Sequence, residues 1–315
     1  MGGGNGSGKS TILHALAYLL QKCLGYNEQK EIETHCEALF DSMEVELHSG
    51  ARLEIQKEVT STKELVDSQN LNKGIKKDNF KISENISFRE SVYLPEGKPG
   101  FPIPGHIIYL NSSDLAVRTI SQLIEKSIPD GRPGKTVLDV LLQDALNKRN
   151  QLFTAKIGGA MQNSDRSEVE PLLELFSRFD KAVRRFMPEY TMKDTSTLTF
   201  ARNDAKDSDI MYFRLSTGEK QMLYILLTVS NTMGENTILL LDEADMGLHI
   251  DWKRILLREI LTVNPNMQII AATHSPSLID GWYDNVREVS QLYVDGNELS
   301  ESKSVEEIRT EPIGE

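Results

Sequence analysis

Gly3-Gly4-Asn5-Gly6-Ser7-Gly8-Lys9-Ser10 is the stretch that decides the fold. It fits G-x-x-x-x-G-K-[ST] at every fixed position. Such glycines let successive backbone N–H groups turn inward as an anion nest, and the helix that follows adds the positive end of its dipole. Lys9 to Cys23 reads as that helix, because Ile12, Leu13, Leu16, Leu19 and Leu20 fall on one face and Gly25 can cap its end. Lys9 is expected to reach the β- and γ-phosphates of a nucleotide, and the Ser10 hydroxyl to take a place on Mg²⁺. Gly3, Asn5, Gly6, Ser7, Gly8 and Thr11 would complete the nucleotide contacts. A flexible glycine-rich start could match the pattern by accident, but the helix weighs against that reading.

Beyond this helix, Met43–Leu47 and Leu53–Val59 read as strands of a hairpin around His48-Ser49-Gly50. Thr60 to Glu84 turns polar and reads as an exposed loop or the edge of an insertion. Leu94–Gly105 is rich in proline and glycine and reads as irregular, and His106–Leu110 as a short strand. Val137–Ala155 and Glu168–Met187 carry helical periodicity, so Val117–Met187 reads as a mostly helical inserted lobe. Strands are expected at Thr197–Ala201 and Ile210–Leu215. After them come helix Gly218–Thr232, strand Thr237–Leu241, helix Asp251–Leu261 and strand Met267–Ala272. That alternation implies a parallel sheet with crossover helices. The expected architecture is α/β, a P-loop core with a mostly parallel sheet, an antiparallel β subdomain and the helical lobe. Residues 1–116 and 191–295 would form the two parts of the core, 117–190 the lobe and 296–315 an acidic tail.

Thr237-Ile-Leu-Leu-Leu-Asp242-Glu243 is a buried strand ending in two adjacent acids. Neighbours on a strand point to opposite faces, so the two should differ in role. Asp242 would hold the Mg²⁺ shell, and Glu243 would face the γ-phosphate and polarise the attacking water. An apolar strand with Asp-Glu is often only a solvated strand end. Its place downstream of a phosphate loop favours the chemical reading.

Leu215-Ser216-Thr217-Gly218-Glu219-Lys220-Gln221 carries the most information about function. Ser216 with Glu219 three residues on is a capping box, and that geometry alone makes a second anion site at a helix N-terminus. The segment resembles the L-S-x-G-[EQ] signature of the ABC ATPase superfamily. The resemblance implies that Ser216 and Gly218, with Glu219 in the motif, bind the γ-phosphate held by an opposite subunit. A composite pocket across a homodimer or higher homo-oligomer follows, with ATP and Mg²⁺ as cofactors. His274 in Ala272-Thr273-His274-Ser275-Pro276 follows the next strand, where the family places a switch histidine at the γ-phosphate. The family also has a glutamine loop, for which Asn111 is the nearest candidate here.

Within the superfamily, the long span from Lys9 to Ser216 and the sequence Asp242-Glu-Ala-Asp245-Met-Gly-Leu-His-Ile-Asp251 differ from transporter subunits. They resemble ATPases of the OLD nuclease group and of anti-phage systems such as Septu, PARIS and some retrons, with SMC-like repair ATPases more distant. The residues after His274 are too few for the Toprim nuclease of OLD enzymes. The resemblance therefore implies a sensor or motor subunit with a separate effector protein, a nuclease being the first candidate, and DNA as a further candidate partner. A nucleotide-dependent scaffold that barely hydrolyses is the competing reading, and a transporter's energising subunit the less favoured one.

Composition agrees with a cytoplasmic, reduced protein: no signal-peptide pattern, no membrane-length apolar run, and two cysteines, Cys23 and Cys36, without metal-like spacing. The net charge of −12 disfavours a broad nucleic-acid footprint on one chain, leaving room for a local basic groove. Because the chain opens on its glycines, a strand leading into them is expected upstream. Without it, the edge of Thr237–Leu241 or of Met267–Ala272 should lie open.

Overall fold

A computed structural model describes residues 8–23, 42–46, 52–65, 80–93, 106–112, 136–162, 166–204 and 209–289. Gly3, Asn5, Gly6, Ser7, Gly25, Cys36, the 94–105 stretch and the acidic tail lie outside them. The helices are α1 (Lys9–Cys23), α2 (Val137–Gln162), α3 (Arg166–Phe186), α4 (Thr217–Ser230) and α5 (Ile250–Val263). The strands are β1 (Ser42–Glu46), β2 (Arg52–Leu65), β3 (Phe80–Tyr93), β4 (His106–Asn111), β5 (Tyr190–Asp194), β6 (Thr199–Arg202), β7 (Asp209–Met211), β8 (Thr237–Asp242) and β9 (Met267–Ala272). They form a parallel sheet β4-β8-β9 and two antiparallel sheets, β1-β2-β3 and β5-β6-β7.

The parallel sheet is covered on both faces, and its two-residue alternation sorts the helices. On one face Ile238 and Leu240 of β8, with Ile270 and Ala272 of β9, pack on Leu13 and Ala17 of α1. On the other face Leu239 and Leu241 join the main core with Met222, Leu223, Leu226 and Leu227 of α4. Asp242 continues the Ile238–Leu240 series and so emerges on the α1 face. A second side of α1 buries Tyr18, Leu19 and Leu20 against Leu53 and Ile55 of β2. The helix is thus a wedge between the parallel sheet and the β1-β2-β3 sheet.

Strand β8 is paired on both sides, in register from His106↔Thr237 to Asn111↔Asp242 and from Thr237↔Met267 to Asp242↔Ala272. The expectation of an open edge on this strand is therefore corrected. Among the described strands β9 pairs with β8. The common register brings the ends of all three strands to one rim, carrying Asn111, Asp242 and the residues after Ala272. In open α/β sheets the carboxyl ends of the strands are where ligands bind.

Two further expectations change. The polar stretch read as a loop from Thr60 to Glu84 contributes ladder at both ends, β2 running to Leu65 and β3 starting at Phe80, with Leu65↔Phe80 as the last pair. Ladder pairing uses backbone groups, which the polarity of side chains does not reveal. The strand expected at Ile210–Leu215 is only Asp209–Met211 and passes into a 3₁₀ turn at Tyr212–Arg214. Strand β5 was not anticipated. Its Tyr190 and Met192 pack at the edge of the core while its neighbours face out, too few residues for the alternation to show.

Helices α2 and α3 share the main core with α4, through Leu138, Leu142 and Leu146 of α2 and Phe179, Val183 and Phe186 of α3. Arg149 ties the three together. Its guanidinium donates to Ser230 Oγ at 2.5 Å and to the Phe176 carbonyl at 3.0 Å, and lies over the Phe179 ring at 4.5 Å. Burial lowers its pKa to about 10, a shift that Asp180 opposes, and the same burial raises Asp180. Among the described residues no helix is long and apolar enough to cross a membrane.

Candidate functional site

The Ser10 hydroxyl at the start of α1 donates to Asp242 Oδ1 at 2.8 Å, joining residues 232 positions apart. The other carboxylate oxygen, Oδ2, accepts from the Tyr109 hydroxyl of β4 at 3.2 Å. Oxygen ligands at about 2.0–2.1 Å around an octahedral Mg²⁺ stand about 2.9 Å apart, so the Ser10–Asp242 spacing suits two neighbouring corners. Hard oxygen donors of this kind suit Mg²⁺, which is usually completed by water and phosphate rather than by an all-protein cage. Lys9 is buried beside Ser10. Thr11 is exposed on the first turn.

Glu243 leaves β8 with φ of +52°, a left-handed conformation uncommon for a residue with a side chain. Its N–H donates to the Ala272 carbonyl at 2.9 Å, and its Oε1 lies 3.3 Å from His274 Nε2. The turn therefore separates Glu243 from Asp242 and aims it at the loop after β9. Strain of about 1–3 kcal/mol is tolerable at such a position only when the surroundings hold it. Glu243, Met246, Lys253, Thr273 and His274 line an open cleft of about 510 Å³.

The segment at 215–221 forms the expected capping box: Ser216 Oγ accepts from the Glu219 N–H at 3.4 Å, and Glu219 Oε2 accepts from the Ser216 N–H at 2.6 Å. Ser216 and Thr217 are exposed, whereas Glu219 is buried. Burial and the Glu219 charge raise the Tyr190 hydroxyl above its ordinary pKa. The helix start is pressed against the loop after β8. A Cβ on Gly218 would come 3.2 Å from the Gly247 carbonyl oxygen, and Gln221 Nε2 donates to the Ala244 carbonyl at 2.7 Å. Gly247 itself holds φ of +85°. The acids of β8 and the start of α4 are thus joined through residues 244–247.

Lys220, next in the same segment, reaches Asp139 Oδ1 of α2 at 2.7 Å, with both side chains nearly buried. Burial alone would raise the Asp139 pKa. The bonds from Lys220 and from the Thr136 N–H and hydroxyl outweigh it, and the carboxyl sits below the usual range. Its stabilisation is therefore present above the unfolded-state pKa of about 3.9 and is lost as pH falls through the lower folded value. Lys220→Met should cost about 3 kcal/mol at neutral pH, the low end for breaking a buried pair because Thr136 still bonds the carboxylate. Chemical denaturation checks this, and an unchanged midpoint would show the pair to be energetically idle.

The structure brings together Ser10 with Asp242 and Glu243 with His274 at one rim, and places Ser216, Gly218 and Glu219 at the start of α4. Asn111 ends β4 opposite Asp242. Reading the sequence missed Tyr109, Gly247, Asp245, Lys253 and Thr273. Gly247 carried a usable signal as a glycine between a strand end and a helix. Tyr109 meets Asp242 and Thr273 meets Asp245 across long sequence separations, and Lys253 meets Asp245 across the turn into α5, contacts that one sequence does not reveal.

The family described as "AAA domain, putative AbiEii toxin, Type IV TA system" matches residues 2–280. The chain belongs to that family. This AAA-domain chain is also similar to the "Retron Vc95 probable ATPase" of Vibrio cholerae serotype O1 biovar El Tor, 34% identical over 83 residues. That match covers 23% of the chain and only 16% of the relative's length. Among solved structures, one titled "Crystal structure of the SmcHead bound to the C-winged helix domain of ScpA" aligns with a TM-score of 0.43 and 14% identity, over 88% of this chain and 82% of that one. The fold is the α/β P-loop architecture expected from the first ten residues and the β8–β9 region.

Proposed function

We propose that this chain binds and hydrolyses ATP with Mg²⁺, and does so as a homodimer that closes over two shared pockets. One observation carries the reading. The phosphate-loop helix α1 and the capped helix α4 lie on opposite faces of the parallel sheet. Two helix starts separated by the sheet favour a phosphate shared between two chains over one shared within a single chain. A second copy, turned so that its α4 faces the first copy's α1, completes the pocket. Exposed Phe213, close in sequence to the start of α4, Met246, in the loop pressed against it, and Ile250, at the start of α5, offer apolar surface to bury.

In that pocket each group has a distinct task. Lys9 would hold the β- and γ-phosphates, and Ser10 with Asp242 would hold Mg²⁺, while Tyr109 fixes the Asp242 carboxylate. Bound there, Mg²⁺ would offset charge developing on the phosphates. Glu243 would orient the attacking water and take its proton, and His274, 3.3 Å from Glu243, would contact the γ-phosphate. The partner's Ser216 hydroxyl and Gly218 N–H would meet the same phosphate from the other side.

We further assign the chain to an anti-phage defence or DNA-transaction complex, as the sensor or motor of a separate effector, with a nuclease as first candidate. Family membership and the retron ATPase relative support this context. The assembly is testable directly. With Glu243→Gln slowing turnover, Mg-ATP should raise the mass in light scattering from 35.5 kDa to twice that value, and ADP should not. A mass unchanged by ATP under conditions where ATP is bound would remove the dimer.

A further inference from the structure

Asp245 lies two residues past Glu243 and is almost fully buried, yet none of the roles above uses it. Its Oδ1 accepts from the Thr273 hydroxyl at 2.9 Å, and its Oδ2 pairs with Lys253 Nζ of α5 at 3.2 Å. Thr273 immediately precedes His274. The same Thr273 hydroxyl oxygen accepts from the N–H of Ser275, the residue after the histidine, at 2.9 Å. The backbone on both sides of His274 is therefore held by one hydroxyl, and that hydroxyl by Asp245.

We propose that Asp245 and Thr273, with Lys253 neutralising Asp245, are positioning residues that set His274 against Glu243. Two ties join the loop after β8 to the end of β9 and the loop that follows it: the Glu243 N–H to the Ala272 carbonyl, and Asp245 to Thr273. Glu243 makes the first tie itself, and His274 follows the second by one residue. Neither tie is redundant. The first fixes the backbone from which Glu243 springs, and the second fixes the direction from which His274 returns. A buried ion pair contributes little net stability against apolar residues of equal size, because desolvation offsets the attraction. Its worth here is geometric. A reacting group displaced by about 1 Å can lose on the order of 100-fold in rate.

The test uses Thr273→Val, of nearly equal volume but without the hydroxyl, and Thr273→Ser, which keeps it. Two readouts are taken, the His274 imidazole resonance in histidine-labelled protein, assigned by its loss in His274→Gln, and steady-state ATP hydrolysis. Thr273→Val should move the His274 resonance and lower kcat by about 10- to 100-fold, with nucleotide affinity within about 2-fold. Thr273→Ser should restore both. An unmoved resonance in a folded Thr273→Val protein overturns the proposal. So does a moved resonance with kcat intact while Glu243→Gln still abolishes turnover. The inference rests on the hydrolysis reading only for its kinetic arm. If Glu243→Gln itself leaves turnover unchanged, that reading fails, and the resonance alone decides whether the hydroxyl holds the histidine.

Discussion

Glu243→Gln should bind Mg-ATP as the unaltered protein does and hydrolyse it at least about 100-fold more slowly. The substitution keeps the side chain's size and its capacity to bond His274, and glutamine meets the left-handed backbone at no greater cost than glutamate. Folding and binding should therefore survive. What disappears is the negative charge able to take a proton from water at the position 3.3 Å from His274. Phosphate release and nucleotide binding, measured on the same preparations, separate chemistry from affinity. Hydrolysis by Glu243→Gln at the unaltered rate, in protein free of contaminating ATPase, would remove Glu243 from the mechanism.

Ser216→Arg should be as severe for a different reason. Ser216 is exposed at the N-terminus of α4, where the proposed partner's γ-phosphate would approach. Arginine there fills the space that two chains must share, so closure and hydrolysis should be lost while nucleotide binding by the single chain persists. Losing the cap also costs about 1 kcal/mol of helix stability. Ser216→Ala carries that second cost alone, and a comparison of the two separates a blocked interface from a frayed helix.

Much of this was legible in the sequence where one period dominated. The helix expected at Lys9–Cys23 and the strand expected at Met267–Ala272 have those bounds in the structure. In the first, apolar residues recur at helical spacing directly after a glycine run. In the second, a short apolar run lies between turn residues. The reading of Asp242 and Glu243 as differently directed also rested on a local rule. Strand alternation puts Asp242 on the α1 face, and the left-handed Glu243 turns away from it. The polar ends of β2 and β3 escaped because their pairing is made by backbone groups. Asp245 escaped for another reason. Its value lies in Thr273 and Lys253, and nothing in the order of residues says that these meet. The same holds for Tyr109 on Asp242 and Asp139 on Lys220. The sequence showed which polar side chains follow the strand ends, and only the fold showed what holds them in place.

Mixing two inactive variants tests the central claim most directly. Lys9→Ala should be unable to hold phosphate in its own loop but should keep its Ser216 end, and Ser216→Arg the reverse. Each alone should hydrolyse little. Mixed in equal amounts, they should regain activity, because a mixed pair contains one pocket built from an unaltered Lys9 and an unaltered Ser216. Recovery that rises with total protein concentration is the predicted result. Full hydrolysis by Ser216→Arg alone, at concentrations where it remains a single chain, would contradict a pocket shared between two copies.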